Sequence, residues 1–402
     1  MATFLFFLFG LYLYTGWTVY SYYQFKLARG NVPWRVHVNG IRGKSTVTRY
    51  LVAIFRAAGL HTFGKTTGSA ARVLQPNGKD FDFGSKGFAN VNEQVLLLRN
   101  FFRQKADAVV MECMAVNPVY AEWLENIVMK SQIGVITNVR YDHADYMGET
   151  LEEIAMSLSR TIPYDGIIIT AEQQPALLSI LYQEASKKCS RLLIADGSTV
   201  LAGELANFNH FAIEANVAIG FVLADLLGLS RGMALQAMQA AEPDPGAFLL
   251  QHIRQRSQTI VWANLFAVND RESFVDLCER LFLQHPNHQR VIILNNRHDR
   301  PTRVRLFAEL SIKLGFELTV TFGDYEAEVN EALSSQQIKL LNLGNTTKQC
   351  NANGEQLLSE ILLAAGGQRP VLLIGTVNIH TVQAERLLEH INLLQLSTSV
   401  VD

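Results

Sequence analysis

The pattern of apolar and polar positions separates one long apolar run from a series of shorter alternating segments. Between Met1 and Phe25 no side chain carries a charge, and a helix needs about 20 apolar residues to cross the hydrocarbon core of a membrane. Tyrosines cluster in the second half of this run, as aromatic residues do at membrane interfaces. Residues 1–25 are therefore predicted to form a transmembrane anchor.

The charges after the apolar run predict its orientation. Lys26, Arg29 and Arg35 follow it directly, and no basic residue precedes it. Under the positive-inside rule the N-terminus lies outside and the remaining chain in the cytoplasm. We therefore expect a single-pass protein of the cell membrane whose catalytic part is cytoplasmic. A cleaved signal peptide and a helix lying in the membrane interface are the alternatives.

Beyond a linker at residues 31–33, short β-like runs alternate with helical stretches. Such alternation is typical of a parallel sheet with helices on both faces. Two prolines and a glycine within residues 243–246 interrupt it and indicate an interdomain turn. We predict an α/β protein with a first domain at residues 31–241 and a smaller, Rossmann-like α/β domain at residues 247–402. The predicted strands are residues 35–39, 108–112, 133–137, 166–170, 191–195, 259–262, 291–294, 318–322 and 371–374.

A glycine-rich segment joins the first predicted strand to a predicted helix at residues 44–60. Residues 38–46 read Val-Asn-Gly-Ile-Arg-Gly-Lys-Ser-Thr. In this setting glycines let backbone N–H groups close on phosphate oxygens, and the helix N-terminus adds its dipole. Lys44 would reach the β- and γ-phosphates of ATP, and Ser45 would hold Mg²⁺. The first domain is thus predicted to be a P-loop ATP-binding domain. Because Val38 stands where the common pattern has a glycine, a turn without a ligand is the alternative.

Polar residues also follow two other predicted strands. Asp142, His143 and Asp145 come after the strand at residues 133–137, and Glu112 ends another strand. Open α/β sheets bind ligands at this carboxyl edge, and these side chains suit a divalent cation near phosphates. A polar surface loop and a strand-end glutamate that points to water are the respective alternatives.

Together these motifs resemble the Mur ligase superfamily, which includes peptidoglycan amino-acid ligases and folylpolyglutamate synthase. The compact phosphate loop G-x-x-G-K-[ST]-[ST] of that superfamily is matched by residues 40–46, and its N-x-x-x-D-H-x-D-x-x-G signature by residues 138–148. Within it, the chain is most similar to the ligase subunits of poly-γ-glutamate synthases, the PgsB/CapB family. The apolar N-terminal run, the phosphate loop and residues 65–72 and 243–246 carry this similarity.

The resemblance implies an ATP-dependent amide (γ-glutamyl) ligase that activates a carboxylate as an acyl-phosphate and joins it to glutamate. Such an enzyme builds poly-γ-glutamate and releases ADP and phosphate. It implies catalytic roles for Lys44, His143 and Glu112, and magnesium ligation by Ser45, Glu112 and His143. The implied partners are glutamate, the poly-γ-glutamate chain, the membrane and the other membrane subunits of the synthase complex. The implied ATP-binding residues are Gly40, Ile41, Arg42, Gly43, Lys44, Ser45, Thr46 and Asn216.

Four other residues are candidate substrate contacts. Thr67 and Ser69 offer hydroxyls and backbone amides that would hold phosphate or the acceptor carboxylate. Arg297 and Arg300 lie in a basic loop suited to the carboxylates of polyglutamate. An ordinary turn and a solvated loop are the alternatives.

Composition and charge exclude several other classes of protein. Charged residues make up 18% of the chain and the net charge is −2, so we expect no nucleic-acid partner. The four cysteines form no CxxC pair, which argues against a disulfide framework or a metal–thiolate site. Two other functions stay open: a membrane-anchored P-loop ATPase or kinase that energises a membrane assembly without ligation, and a nucleotide-binding scaffold. The ATPase function leaves the signature at residues 138–148 unexplained.

Overall fold

The structure, a computed structural model, is an α/β chain made of two compact units, Met1–Gly246 and Ala247–Asp402. The fold class predicted from the sequence is confirmed. The described residues are 2–68, 71–82, 91–205, 207–208, 212–243, 250–255, 258–266, 268, 271–334, 338–347, 351–367, 369–378 and 381–398.

The first unit is built on one sheet. Its strands are β1 Trp34–Asn39, β2 Thr62–Thr66, β3 Arg72–Leu74, β4 Asp80–Asp82, β5 Ala108–Glu112, β6 Ile133–Ile136, β7 Ile167–Thr170 and β8 Arg191–Ile194. Its α-helices are α1 Ala2–Gly30, α2 Lys44–Ala57, α3 Val91–Arg103, α4 Pro118–Trp123, α5 Ala144–Met147, α6 Leu151–Leu158, α7 Pro175–Lys187, α8 Ala202–Leu205, α9 Glu214–Leu227 and α10 Arg231–Gln239. Short helical turns are Leu124–Met129 (π) and Ser159–Thr161 and Gly197–Thr199 (3₁₀).

The second unit has a smaller sheet of the same kind. Its strands are β9 Leu250–Gln255, β10 Gln258–Leu265, β11 Gln289–Asn296, β12 Leu318–Gly323, β13 Lys339–Asn342 and β14 Val371–Thr376. Its helices are α11 Arg271–Gln284, α12 Pro301–Lys313, α13 Glu326–Leu333, α14 Gly354–Ala365 and α15 Val382–Thr398. The strand order is β13-β12-β11-β14-β10-β9, and only the edge strand β9 pairs antiparallel within the described part of this sheet.

The sheet of the first unit has the order β4-β3-β2-β5-β1-β6-β7-β8. Strand β1 lies between β5 and β6 and pairs with both in parallel. Both of its edges are therefore hydrogen-bonded, and its residues 35–39 are buried, as is typical of a central parallel strand. Val38 pairs with Glu112, which places the loop after β1 beside the carboxyl end of β5. The antiparallel strands β3 and β4 extend one edge. The sequence pattern did not predict them, because each is only three residues long.

Helix α1 is the one helix in the described part of the chain that is long and apolar enough to cross a membrane. It extends beyond the predicted anchor to Gly30. Its last turns pack onto the rest of the first unit. Phe25 contacts Phe102 of α3, with ring centroids 5.6 Å apart. Arg29 donates to the carbonyl oxygens of Ile127 (2.6 Å) and Val128 (3.3 Å). The apolar helix therefore runs into the folded unit through specific contacts.

Arg35, in β1, extends this set of contacts. It donates to the carbonyl oxygens of Met129 (3.0 Å), Lys130 (2.8 Å) and Val32 (2.6 Å). The first two belong to the end of the helical turn Leu124–Met129, where the helix dipole favours a positive charge. Burial, together with the charge of Arg29, lowers the pKa of the Arg35 guanidinium to about 10, so it remains charged at neutral pH.

A buried ion pair lies beneath the centre of the sheet. His37 of β1 is 1% exposed, and its Nδ1 lies 2.9 Å from Oε2 of Glu125. The other carboxylate oxygen of Glu125 accepts hydrogen bonds from the backbone N–H and the hydroxyl of Ser131. Burial alone would lower the pKa of His37, yet its neighbours Cys113 and Glu125 raise it to about 10. His37 is therefore a buried cation at neutral pH.

The pH dependence of unfolding tests this ion pair. The pKa of His37 rises from 6.5 to about 10 on folding, so its stabilising contribution is complete below 6.5 and disappears as the pH rises through 10. His37→Gln should lower the melting temperature, and the difference from the unmodified chain should shrink between pH 6.5 and 10. Thermal unfolding at several pH values measures it, with the exposed His61→Gln as control. A difference that stays constant with pH would disprove the charged pair.

Candidate active site

The phosphate loop between β1 and α2 depends on two glycines. Gly40 has φ +125° and Gly43 has φ +80°, in the left-handed half of conformational space that favours glycine. A Cβ on Gly43 would lie 2.6 Å from Oδ1 of Asn216, and one on Gly40 would overlap Thr137. Both positions therefore need glycine for its backbone conformation and for its small size.

The loop is held in place by the residues that follow β6. The Thr137 hydroxyl donates to the carbonyl oxygen of Arg42 (2.6 Å). Asn138 bonds to Arg42 twice: its Nδ2 donates to the carbonyl (3.1 Å), and its Oδ1 accepts from the backbone N–H (3.0 Å). Sequence reasoning assigned no role to Thr137 or Asn138. The position of Asn138 at the start of the second signature was the signal that could have identified it.

Lys44 lies over the loop. Its Nζ donates to the carbonyl oxygens of Gly40 (2.8 Å) and Ile41 (3.3 Å). The first turn of a helix leaves backbone N–H groups without an intrahelical acceptor, and in α2 these belong to Lys44, Ser45 and Thr46. An ammonium group and several N–H donors thus converge at the positive end of the helix dipole, an arrangement that binds anions.

Glu112 links three elements of the site. This carboxylate is 2% exposed, and its Oε2 accepts from the Ser45 hydroxyl (2.8 Å) and the Thr67 backbone N–H (2.7 Å). Gln94 of α3 donates to its carbonyl oxygen (2.9 Å). The pKa of Glu112 is raised above its ordinary value. Burial is the largest effect and raises it, whereas the charge of Lys44 and the hydrogen bonds from Thr67 and Ser45 act in the opposite direction. The alternative of a glutamate pointing to water is wrong.

A second lysine lies in this region. Lys65 of β2 is 1% exposed. The pKa of Lys65 is lowered, because the effect of burial exceeds the opposite effect of the carboxylates of Glu93 and Glu112. Lys65 is thus close enough to Glu112 for the two side chains to interact electrostatically. Sequence reasoning missed it because a lysine between Gly64 and Thr66 gives no sign of burial.

His143 lies at the edge of the site. Its side chain is 47% exposed, and its Nε2 is 3.8 Å from Oδ2 of Asp142. The same oxygen accepts from Nη2 of Arg42 (3.2 Å), so Asp142 joins the signature to the phosphate loop. Asp145 is exposed. Among the described residues, no three His, Cys, Asp or Glu side chains gather into a metal-binding group.

The remaining predicted residues are distributed as follows. Asn216, in the first turn of α9, is buried against Gly43. Ser69 lies outside the described residues. In the second unit, Arg297 donates through two nitrogens to Asp299 (3.0 and 2.9 Å), and Nε of Arg300 is 3.7 Å from the same carboxylate. Asp299 therefore offsets part of the positive charge that the sequence indicated for this loop.

Two glycines with nearly the same φ angle allow the cost of backbone strain to be separated from the cost of crowding. Gly59 has φ +79° and open space within 4 Å of the point that a Cβ would occupy, whereas Gly43 has φ +80° and faces Asn216. Gly59→Ala should lower the free energy of unfolding by about 1–2 kcal/mol, and Gly43→Ala by about 1–3 kcal/mol more. The excess should vanish in an Asn216→Ala background. Thermal and urea unfolding measure these differences, and equal costs for the two alanines would contradict the crowding.

Comparison with known proteins places this geometry in a family. Residues 250–394 match the poly-gamma-glutamate synthase CapB C-terminal domain, and residues 38–210 match the Mur ligase middle domain. Capsule biosynthesis protein CapB of Bacillus anthracis is 32% identical over 317 residues, which cover 77% of this chain and 67% of that protein. PGA synthase CapB of Bacillus subtilis (strain 168) is 36% identical over 281 residues, which cover 69% and 71%.

Solved structures share the fold. The bifunctional folylpolyglutamate synthase/dihydrofolate synthase of Yersinia pestis, complexed with AMPPNP and Mn ion, has a TM-score of 0.65 at 16% identity and covers 92% of both chains. E. coli FolC in complex with ADP has a TM-score of 0.64 at 16% identity with the same coverage. From these matches across both units, the chain belongs to the CapB family of poly-γ-glutamate synthases.

Proposed function

We propose that this chain is a membrane-anchored, ATP-dependent amide ligase that adds glutamate to a growing poly-γ-glutamate chain. The observation that carries the proposal is the phosphate loop, in which Lys44 lies over the carbonyl oxygens of the loop and Ser45 donates to the buried carboxylate of Glu112. The two relatives are named as capsule and PGA synthase proteins. One solved structure of the same fold, a bifunctional folylpolyglutamate synthase/dihydrofolate synthase with a TM-score of 0.63, has Mn, AMPPNP and L-glutamate bound.

The chemistry requires activation, because a carboxylate does not acylate an amine at neutral pH. A carboxylate oxygen of the acceptor chain attacks the γ-phosphorus of ATP, the bond to the β–γ bridging oxygen breaks, and ADP leaves. The amine of glutamate then attacks the acyl carbon. Phosphate leaves with the bonding electrons and the nitrogen loses a proton, which completes the amide.

Residues of the loop would stabilise the first transfer. Lys44 would move from the carbonyl oxygens of Gly40 and Ile41 to the phosphates, where its charge offsets the negative charge that develops on the transferred group. The N–H groups at the start of α2 would bind the β-phosphate. Contacts from Arg42, Thr46 and Asn216 to the nucleotide are part of the proposal.

The residues beside the loop fit a divalent cation. The Ser45 hydroxyl and the Glu112 carboxylate are oxygen ligands 2.8 Å apart. Mg²⁺ prefers oxygen and is commonly held by one or two protein ligands together with nucleotide phosphates, so a cage of three acidic or histidine side chains is not required. When bound, Mg²⁺ would neutralise phosphate charge. We propose Ser45 and Glu112, with His143, as its protein ligands.

The remaining substrate contacts and partners belong to the same proposal. Thr67 and Ser69 would contact phosphate or the acceptor carboxylate, and Arg297 and Arg300 would contact the polyglutamate chain. Helix α1 would anchor the chain in the cell membrane, next to the other membrane subunits of the synthase, with the catalytic part in the cytoplasm. The residues after the apolar run supply the positive charge that favours this orientation.

Lys44→Ala should reduce glutamate-dependent ADP release by about 10²–10³-fold or more, because the transition state loses a preorganised charge. Isolated membranes receive Mg·ATP and acceptor polymer, with and without glutamate. The exposed Lys79→Ala serves as the charge-matched control. Full activity of Lys44→Ala would overturn the loop assignment.

Hydroxylamine in the same assay distinguishes ligation from plain ATP hydrolysis. A ligase should yield a hydroxamate from the acyl-phosphate, and the yield should require the acceptor polymer. ADP release that is independent of glutamate and polymer, with no hydroxamate, would instead indicate the membrane-anchored ATPase or kinase.

Removal of residues 2–23 tests the anchor. The shortened chain should leave the membrane fraction yet keep its melting temperature, because Phe25 and Arg29 retain their contacts with the first unit. In the full-length chain, Phe25→Ala should do the reverse: it should stay in the membrane but lose about 3 kcal/mol of unfolding free energy. Sedimentation after washing, together with thermal unfolding, measures both. A shortened chain that still sediments with membranes would disprove the anchor.

A further inference from the structure

A cavity of about 440 Å³ lies between α1 and α3 in the first unit. Its α1 wall includes Trp17, Tyr20, Ser21 and Gln24, which recur at intervals of three and four residues and so share one face of the helix. Two arginines of α3 form part of the opposite wall. The proposed ligase reaction uses none of these side chains.

The cavity lies where α1 would leave the apolar layer of a membrane. The helix from Phe4 to Tyr23 has about 20 residues, and at about 1.5 Å per residue it spans about 30 Å, the thickness of the hydrocarbon core. Phe25, just beyond it, is the first residue of α1 that is buried against the folded unit. Trp17 and Tyr20 would thus lie at acyl-chain depth, and Gln24 at the depth of the lipid headgroups.

The two arginines, Arg99 and Arg103, lie one helical turn apart on α3. The structure shows no ion pair for either with any described carboxylate. The Arg99 guanidinium lies 5.6 Å from the centroid of the Phe25 ring, and its Nε is buried with no hydrogen-bond partner among the described residues. Among the described residues that line the cavity, the charged ones are Arg99 and Arg103, and both are cationic.

We propose that this cavity binds the headgroup phosphate of an anionic phospholipid, with an acyl chain along Trp17 and Tyr20. Guanidinium groups bind phosphate through paired N–H donors, and the Ser21 hydroxyl and the Gln24 amide would contribute further hydrogen bonds. The apolar and cationic halves of the cavity match the two parts of such a lipid. This inference rests on the proposed membrane anchoring of α1.

Retention of lipid by the full-length chain tests the proposal. The chain is reconstituted into phosphatidylcholine vesicles with or without phosphatidylglycerol, extracted in mild detergent and examined by native mass spectrometry. The unmodified chain should retain one phosphatidylglycerol in preference to phosphatidylcholine. Arg99→Gln and Arg103→Gln should each weaken this retention by about fivefold, while the double variant Arg99→Lys/Arg103→Lys, which keeps both charges, should retain more of it than the double variant Arg99→Gln/Arg103→Gln. The exposed Arg191→Gln, on β8, is the control and should bind as the unmodified chain does.

Several results would overturn the proposal. Equal retention of the two lipids, or unchanged retention in the double glutamine variant, would show that the arginines do not select a headgroup. Displacement of the lipid by inorganic phosphate would indicate a free-anion site, and replacement of the lipid by a co-purifying membrane subunit would indicate a protein contact. Arg103→Gln alone leaves the contact between Arg99 and Phe25 in place, so the test remains available if the double variant misfolds.

Flotation of the same vesicles separates this inference from the anchor on which it rests. If the chain floats with both vesicle types but retains no anionic lipid selectively, the headgroup site is wrong and the anchor stands. If the chain does not float with either type, both the anchor and the headgroup site are wrong.

Discussion

The parallel pairing of β1 with both β5 and β6 is the constraint on which the site depends. Parallel strands end at the same edge of a sheet, so the three loops that carry the site emerge side by side. The register of Val38 with Glu112 brings the buried carboxylate to the loop that follows β1. Residues 137–138, after β6, close the other side of that loop. A shift of either pairing by one residue would turn the site side chains to the opposite faces of the sheet.

The fold was predictable from the sequence because its signals are local. Apolar runs of four to six residues gave the central strands to within a few residues, and the glycine-rich segment gave the phosphate loop. Strands β3, β4, β9 and β13 were missed, since they are short or lack a continuous apolar run. Strand β2 was missed because it contains Gly64 and Lys65. Antiparallel edges are therefore an addition to the predicted parallel sheet.

The site was less predictable, because its geometry comes from contacts between distant segments. The sequence indicated Lys44, Ser45 and Glu112 through their positions next to strands. It gave no sign that Gln94 bonds to the backbone of Glu112, or that Lys65 is buried. Those contacts depend on how α3 and β2 pack on β5, which no local pattern encodes. The proposed roles of the site residues in ATP and metal binding stay predictions.

Buried charge is concentrated around β1. His37 pairs with Glu125, and Arg35 bonds to backbone carbonyls. Each buried ion has a specific counter-charge or hydrogen-bond acceptor, and removal of one partner leaves the other uncompensated in a medium of low polarity. A substitution that breaks either set of contacts should therefore destabilise the packing around β1, from which the phosphate loop begins.

The arginine contacts at the end of α1 also have a mechanical consequence. Arg29 and Arg35 bond to the consecutive carbonyl groups of residues 127–130. No flexible linker therefore separates the apolar helix from the rest of the first unit. With α1 embedded in a bilayer, the first unit could not change its orientation independently of α1 and would rotate only together with it, about the membrane normal. The phosphate loop would then work at a fixed height above the lipid surface, and each elongation step would begin from the same distance.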